Sequence, residues 1–215
     1  MARPRTQSEE RAAFLNVPYD RKFENLFLAF IAGLRGFGLT PRATIEITGS
    51  RRRLERITAL IGTCQFSFHD LSRVELDRTP PPTPRFNMPF ELGLAVSMAN
   101  SRAGGHKWFV FESNAHRLKK SLSDLDGTDP YVHDGTPYGV LRALANALSR
   151  EHNGPTLSEL EAIYLEVRKV AVIKSRELRG GSLFEAQPFR DLVVFAGISA
   201  QERIASLRKE RGSLR

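Results

Sequence analysis

The chain has 215 residues, of which 41% are hydrophobic, and a formal net charge of +8. That is enough for one sizeable core, alone or with a small appendage. Its single cysteine, Cys64, excludes an internal disulfide framework and fits a reducing compartment.

The five histidines show no metal-ligand spacing along a helix, and no zinc-type Cys/His pattern occurs. No apolar run reaches the length of a bilayer span. The first ten residues are polar and carry no hydrophobic signal region. A soluble, cytoplasmic protein with no membrane partner is the expectation. The basic excess lies in the N-terminal tail, at Arg51, Arg52 and Arg53, and beyond Glu202. It serves solubility, and it also suits a polyanionic partner.

In chain order, residues 12–17 form a short apolar run, as a buried first strand does. Phe23, Leu26, Phe27, Phe30, Ile31 and Leu34 then recur at helical spacing, and Gly36 and Gly38 stop that helix. Residues 39–47 read as a second strand, favoured by Thr44, Ile45 and Ile47. A helix carrying Leu54, Ile57, Leu60 and Ile61 on one face follows, and residues 65–70 read as a third strand. Residues 71–85 contain Pro80, Pro81, Pro82 and Pro84 and cannot form regular structure. Connections of that length are often binding loops. Asn87 is the expected N-cap of a helix running to about residue 99. Residues 107–111 form a fourth strand, Tyr131 and Val132 a short fifth one, and residues 138–148 a helix.

Strands alternating with helices imply parallel pairing in a three-layer α/β sandwich. The Asn-Gly-Pro sequence at 153–155 marks a boundary. Beyond it, Thr156 and Glu159 form a capping box ahead of the stripe Leu160, Ile163, Tyr164, Val167 and Val170. Gly180 and Gly181 end that helix; residues 189–195 and a second capping box, Ser199 with Glu202, predict two more short ones. The expected organisation is a flexible tail over 1–11, an α/β domain over 12–152 and a helical appendage over 153–215.

Ligands of open parallel sheets bind at the carboxyl ends of the strands. That rule selects Asn16, Tyr19, Asp20, Glu46, Asp70, Ser72, Arg85, Asn87 and Glu91. Glu91, flanked by Phe90, Leu92 and Leu94, reads as first-turn and centres the site. The macrodipole would lower its pKa and apolar walls would raise it. Asp70 either closes a strand-end Asx turn or faces a ligand. Strand alternation sends His69 to the opposite side, where it reads as structural. The arginines at 51–53, Arg52 at their centre, oppose the macrodipole at a helix start, a conflict that a phosphate would relieve. Neither G-x-G-x-x-G nor a Walker lysine is present, which argues against dinucleotide redox chemistry and P-loop hydrolysis. No cofactor is called for.

Strand, Asp70, a loop, then Phe90-Glu91-Leu92-Gly93 opening a helix resembles the nucleoside 2-deoxyribosyltransferase superfamily. The same layout resembles bacterial TIR-like domains that cleave NAD. The resemblance spans roughly residues 12–148 and implies a flavodoxin-like fold, with Glu91 as the catalytic glutamate, Asp70 as the nucleoside-contacting aspartate and residues 16–20 as the pocket loop. Arg85 stands where the transferases carry an acid, which implies a more anionic substrate. The resulting expectation is cleavage of an N-glycosidic bond in a nucleotide or NAD, in bacterial defence or signalling. The alternatives are a non-catalytic nucleotide sensor or interaction module, self-associating through its C-terminal helices, and a nucleic-acid-binding protein using its basic tails.

Overall fold

Among the described residues, five short strands make one all-parallel sheet in the order β2-β1-β3-β4-β5. They are β1 (Arg11–Asn16), β2 (Leu39–Arg42), β3 (Phe66–Asp70), β4 (Lys107–Glu112) and β5 (Tyr131–Val132). The structure is a computed structural model describing residues 11–213, apart from 48, 50, 51, 74, 75, 77–79, 102–104, 126, 150–153 and 179. Residues 1–10 of the expected N-terminal tail, Arg51, part of the proline-rich loop and part of the 153–155 boundary lie outside the described residues, and Arg11 belongs to β1.

Alternation along each strand sorts the two faces. Ala13 and Leu15 of β1, Phe66 and Phe68 of β3 and Phe111 of β4 enter one core. The helix α1 (Glu24–Gly36) belongs to that face, and ten of its thirteen residues are buried. A helix apolar on every side must be covered on every side. The cover comes from the sheet, from α5 (Pro137–Ala147), and from α6 (Leu157–Glu177) and α7 (Ala186–Ser213). Approach is close. A Cβ at Gly33 would lie 2.5 Å from Leu144, and one at Gly36 would lie 2.5 Å from Leu160. The opposite face of the sheet is covered by α2 (Arg53–Thr63), α3 (Asn87–Ser101) and the short α4 (Arg117–Ser121). The architecture is therefore the expected flavodoxin-like α/β sandwich, with two further helices laid over α1.

Those two helices share the main core. Leu160, Ile163, Val167, Phe189, Leu192 and Ala196 are buried in the same cluster as β1 and α1. The Thr156 capping box forms as expected: Glu159 donates its N–H to Thr156 at 3.3 Å, and its carboxylate accepts the Thr156 N–H at 2.7 Å. The second box does not. Ser199 is buried inside the continuous helix α7, because Phe195, Ala196 and Ala200 keep burying the same face across it.

The second strand is also shorter than expected. It ends at Arg42, and residues 44–46 form a 3₁₀ turn. The Glu46 carboxylate accepts the Ala43 N–H at 2.8 Å and holds Arg42 at 3.0 Å, which turns the chain away from the sheet. Pro41 is tolerated because β2 is an edge strand, where a missing donor costs least.

Candidate functional site

The strand order reverses direction between β1 and β3. The chain leaves β1 to build β2 on one side, then crosses back to build β3 on the other. Loops diverging at such a point leave a crevice. A cleft of about 890 Å³ lies there, within the range of small-ligand sites. Its walls come from the β1 end (Asn16, Tyr19), from Thr44, from α2 (Arg53, Leu54, Ile57), and from the segment Arg85, Phe86, Asn87, Met88, Phe90 and Glu91.

Asn16 is the last residue of β1 and is buried. Its amide donates to His69 Nδ1 and to the Met88 carbonyl, both at 2.9 Å. One side chain thus ties β1, β3 and the start of α3 together. His69 accepts at Nδ1, so its ring is neutral with the proton on Nε2. Burial, aided by the nearby His106, lowers its pKa to about 3. This is the structural histidine expected from the sequence.

Tyr19 is held by Thr44, whose hydroxyl donates to the phenol oxygen at 3.3 Å. Burial pushes the phenol pKa well above its ordinary value, so it stays a neutral hydroxyl. Its ring packs on Phe27 and Phe184.

Glu91 does not lie in the first turn. The helix begins at Asn87, and no acidic residue occupies its first turn. Charge complementarity with the helix terminus, which fades beyond that turn, is therefore not its role. Asn87 is not the cap either: Phe86 supplies the carbonyl that accepts the first intrahelical N–H, from Phe90 at 2.9 Å. The Glu91 side chain faces the cleft but is only 8% exposed. Burial raises its pKa to about 7, opposed by the charge of Arg53. A carboxyl poised near neutrality in a cleft can hold or release a proton there, or carry a charge that water screens poorly.

Of the two readings of Asp70, the structure shows the strand-end Asx turn. It lies on the α1 side of β3, fully buried, and does not line the cleft. Its Oδ1 accepts the Ser72 N–H at 2.9 Å, the Asx turn, and also the Ser72 hydroxyl. Its Oδ2 lies 2.8 Å from His133 Nε2. The ring N–H is not aimed at that oxygen, so the contact is electrostatic and not an aligned hydrogen bond. His133 accepts the Gly135 N–H at Nδ1, which leaves its proton on Nε2. Asp70 and Ser72 thus hold the end of β3 against the end of β5, and they frame the site without entering it.

Asp20, Glu46 and Arg52 also lie outside the lining. Asp20 accepts the Phe23 N–H at 3.2 Å and gathers Arg85 at 3.2 Å and Arg73 at 3.5 Å. Glu46 is turned toward Arg42 and Arg190. Arg52 is exposed, in a left-handed conformation, 3.9 Å from Glu55. Its neighbour Arg53 is the arginine that α2 contributes to the cleft, because Arg53 and Ile57 are one turn apart on the side of α2 that lines it. That spacing was the available sequence signal. Thr44 and Leu54, also in the lining, were read from the sequence only as strand and helix-face residues, and Phe86 carried no signal of its own.

Among the described residues no cluster of His, Cys, Asp or Glu could hold a metal ion, and no helix is long and apolar enough to cross a membrane. Neither a protein-family model nor a curated protein matches the sequence. Fold and site geometry therefore carry the functional argument alone.

Proposed function

We propose that the cleft binds a nucleotide or NAD and that Glu91 supports cleavage of its N-glycosidic bond. The observation that carries this reading is Glu91 itself: a carboxyl buried in a nucleotide-sized cleft at the β1/β3 crevice, with its pKa raised to about 7. In such a cleavage the C1′–N bond breaks and its electron pair goes to the leaving base. C1′ passes through an oxocarbenium-like state, and it gains a bond to a water oxygen as that water releases a proton. An ionised Glu91 would stabilise the positive carbon or attack it, the role that carboxylates play in glycosidases. Asn16, fixed by His69 and Met88, and the neutral Tyr19 hydroxyl supply polar surface for a sugar. Arg53 supplies positive charge at the mouth for phosphate, beside Arg85, which is paired with Asp20.

A second reading shares the pocket but not the chemistry: a nucleotide sensor. It is favoured by the lining among the described residues, where Glu91 has no second carboxylate beside it and Asp70 is turned to the other face of the sheet. Thermal-shift measurements on a panel of nucleotides and NAD, run beside detection of free base, separate the two. Stabilisation with base release supports cleavage. Stabilisation without release supports the sensor.

A further inference from the structure

Three large apolar side chains at the cleft stand in water. Leu54 is 51% exposed, Phe86 65% and Phe90 53%. All three belong to the lining, and they come from two different elements. Leaving two phenylalanines exposed forgoes the free energy that burial would give. Apolar surface concentrated at a polar cleft marks a place where something binds. Phe86 and Phe90 are one helical turn apart, joined by the backbone bond from the Phe90 N–H to the Phe86 carbonyl, so both lie on one side of α3.

The rest of the cleft limits what can sit there. Its interior offers Asn16, Thr44, the Tyr19 hydroxyl and the Glu91 carboxyl. A lipid chain would leave those groups without partners, at the cost of their desolvation. Arg53 donates to the Ile47 carbonyl at 3.2 Å and has further N–H groups to offer, whereas Arg85 is already held by Asp20. The cleft therefore asks for three features in one ligand: a planar apolar end, a hydroxyl-rich middle and an anionic end.

We propose that Phe86, Phe90 and Leu54 form a stacking subsite for the heteroaromatic ring of a nucleotide. The sugar then lies over Glu91 and the phosphate lies toward Arg53. This rests on the nucleotide reading above and adds to it a direction for the ligand and the residues that select its base. The faces of phenylalanine rings are electron-rich, so a cationic ring such as a pyridinium is held better than a neutral one.

The test is calorimetric titration of the full chain with nicotinamide mononucleotide, adenosine monophosphate and ribose 5-phosphate. It compares the wild type with Phe90→Ala, the double variant Phe86→Ala/Phe90→Ala, and Phe90→Trp. The truncated side chains are exposed, so the fold is expected to tolerate their loss. The double variant is expected to bind both nucleotides about 10-fold or more weakly, and ribose 5-phosphate unchanged. Phe90→Trp is expected to restore or strengthen nucleotide binding. Unchanged nucleotide affinity in the double variant overturns the stacking subsite and leaves the nucleotide reading standing. An equal loss for all three ligands also overturns it, because the effect is then not on the base. A wild type that binds none of the three overturns both readings.

Discussion

Replacing Glu91 by Gln should make the protein more stable at high pH than at low pH relative to the wild type. The carboxyl ordinarily titrates at 4.5, and burial moves it to about 7. Between those values the folded chain holds a proton that the unfolded chain has released, so the unfolded state binds fewer protons and stability falls as pH rises. The contribution is fully present below about 4.5 and is lost by the time pH has passed about 7. At about 1.4 kcal/mol per pH unit, the gap amounts to about 3 kcal/mol. The side chain is only 8% exposed, so water screens little of this. Gln keeps the shape and removes the titration. Urea unfolding of both proteins from pH 5 to pH 8.5 should show Glu91→Gln gaining about 2–3 kcal/mol on the wild type, with the change complete near pH 8. In thermal melts each kcal/mol corresponds to roughly 2–4 °C for a chain of this size. Parallel pH curves would show that the carboxylate is as well solvated in the folded state as in the unfolded one, and the physical case for its poise would fail.

Asp70→Asn should act on stability and spare the cleft. It exchanges the carboxylate beside His133 for an amide and should cost about 1–3 kcal/mol in denaturant unfolding, while nucleotide affinity of the folded protein stays within about twofold. A selective loss of binding at unchanged stability would return Asp70 to the site. Gly139→Ala should be severely destabilising, because a Cβ there would fall 1.9 Å from the His133 carbonyl oxygen and α5 would have to shift. An unfolding free energy within about 0.5 kcal/mol of the wild type would show that this close approach is not required.

The sheet was legible in β1 as a short apolar run, and in β3 and β4 through Phe66, Phe68 and Phe111, which enter the main core. Even the two-residue β5 was visible in Tyr131 and Val132. The Thr156 box was legible because its pattern stands at a real change of direction. Ser199 and Glu202 carry the same local pattern but lie in a helix that continues to bury its face, and no local pattern reports that. The β2 end was misread because Ile45 and Ile47 favour strand, while Glu46, bonded back to Ala43, turns the chain. In the site, the segment around Glu91 was legible as a position, but its environment was not, because the first helical residue decides which turn it occupies. Alternation had separated His69 from Asp70 correctly. It could not say which of the two faced the α2 and α3 side, or that Asp70 would meet His133 from a distant part of the chain. The choice of Arg52 over Arg53 was likewise a matter of helix phase, which the arginine run conceals.

Glu91 is proposed to carry chemistry in a nucleotide cleft. The most direct measurement is mass spectrometry of a nucleotide and NAD panel incubated with the wild type and with Glu91→Gln at pH 8, where the wild-type carboxyl is ionised. The expected result is release of free base or nicotinamide by the wild type and its loss in Glu91→Gln, with ligand binding retained in both. Equal release by the two proteins would contradict it and remove Glu91 from the mechanism.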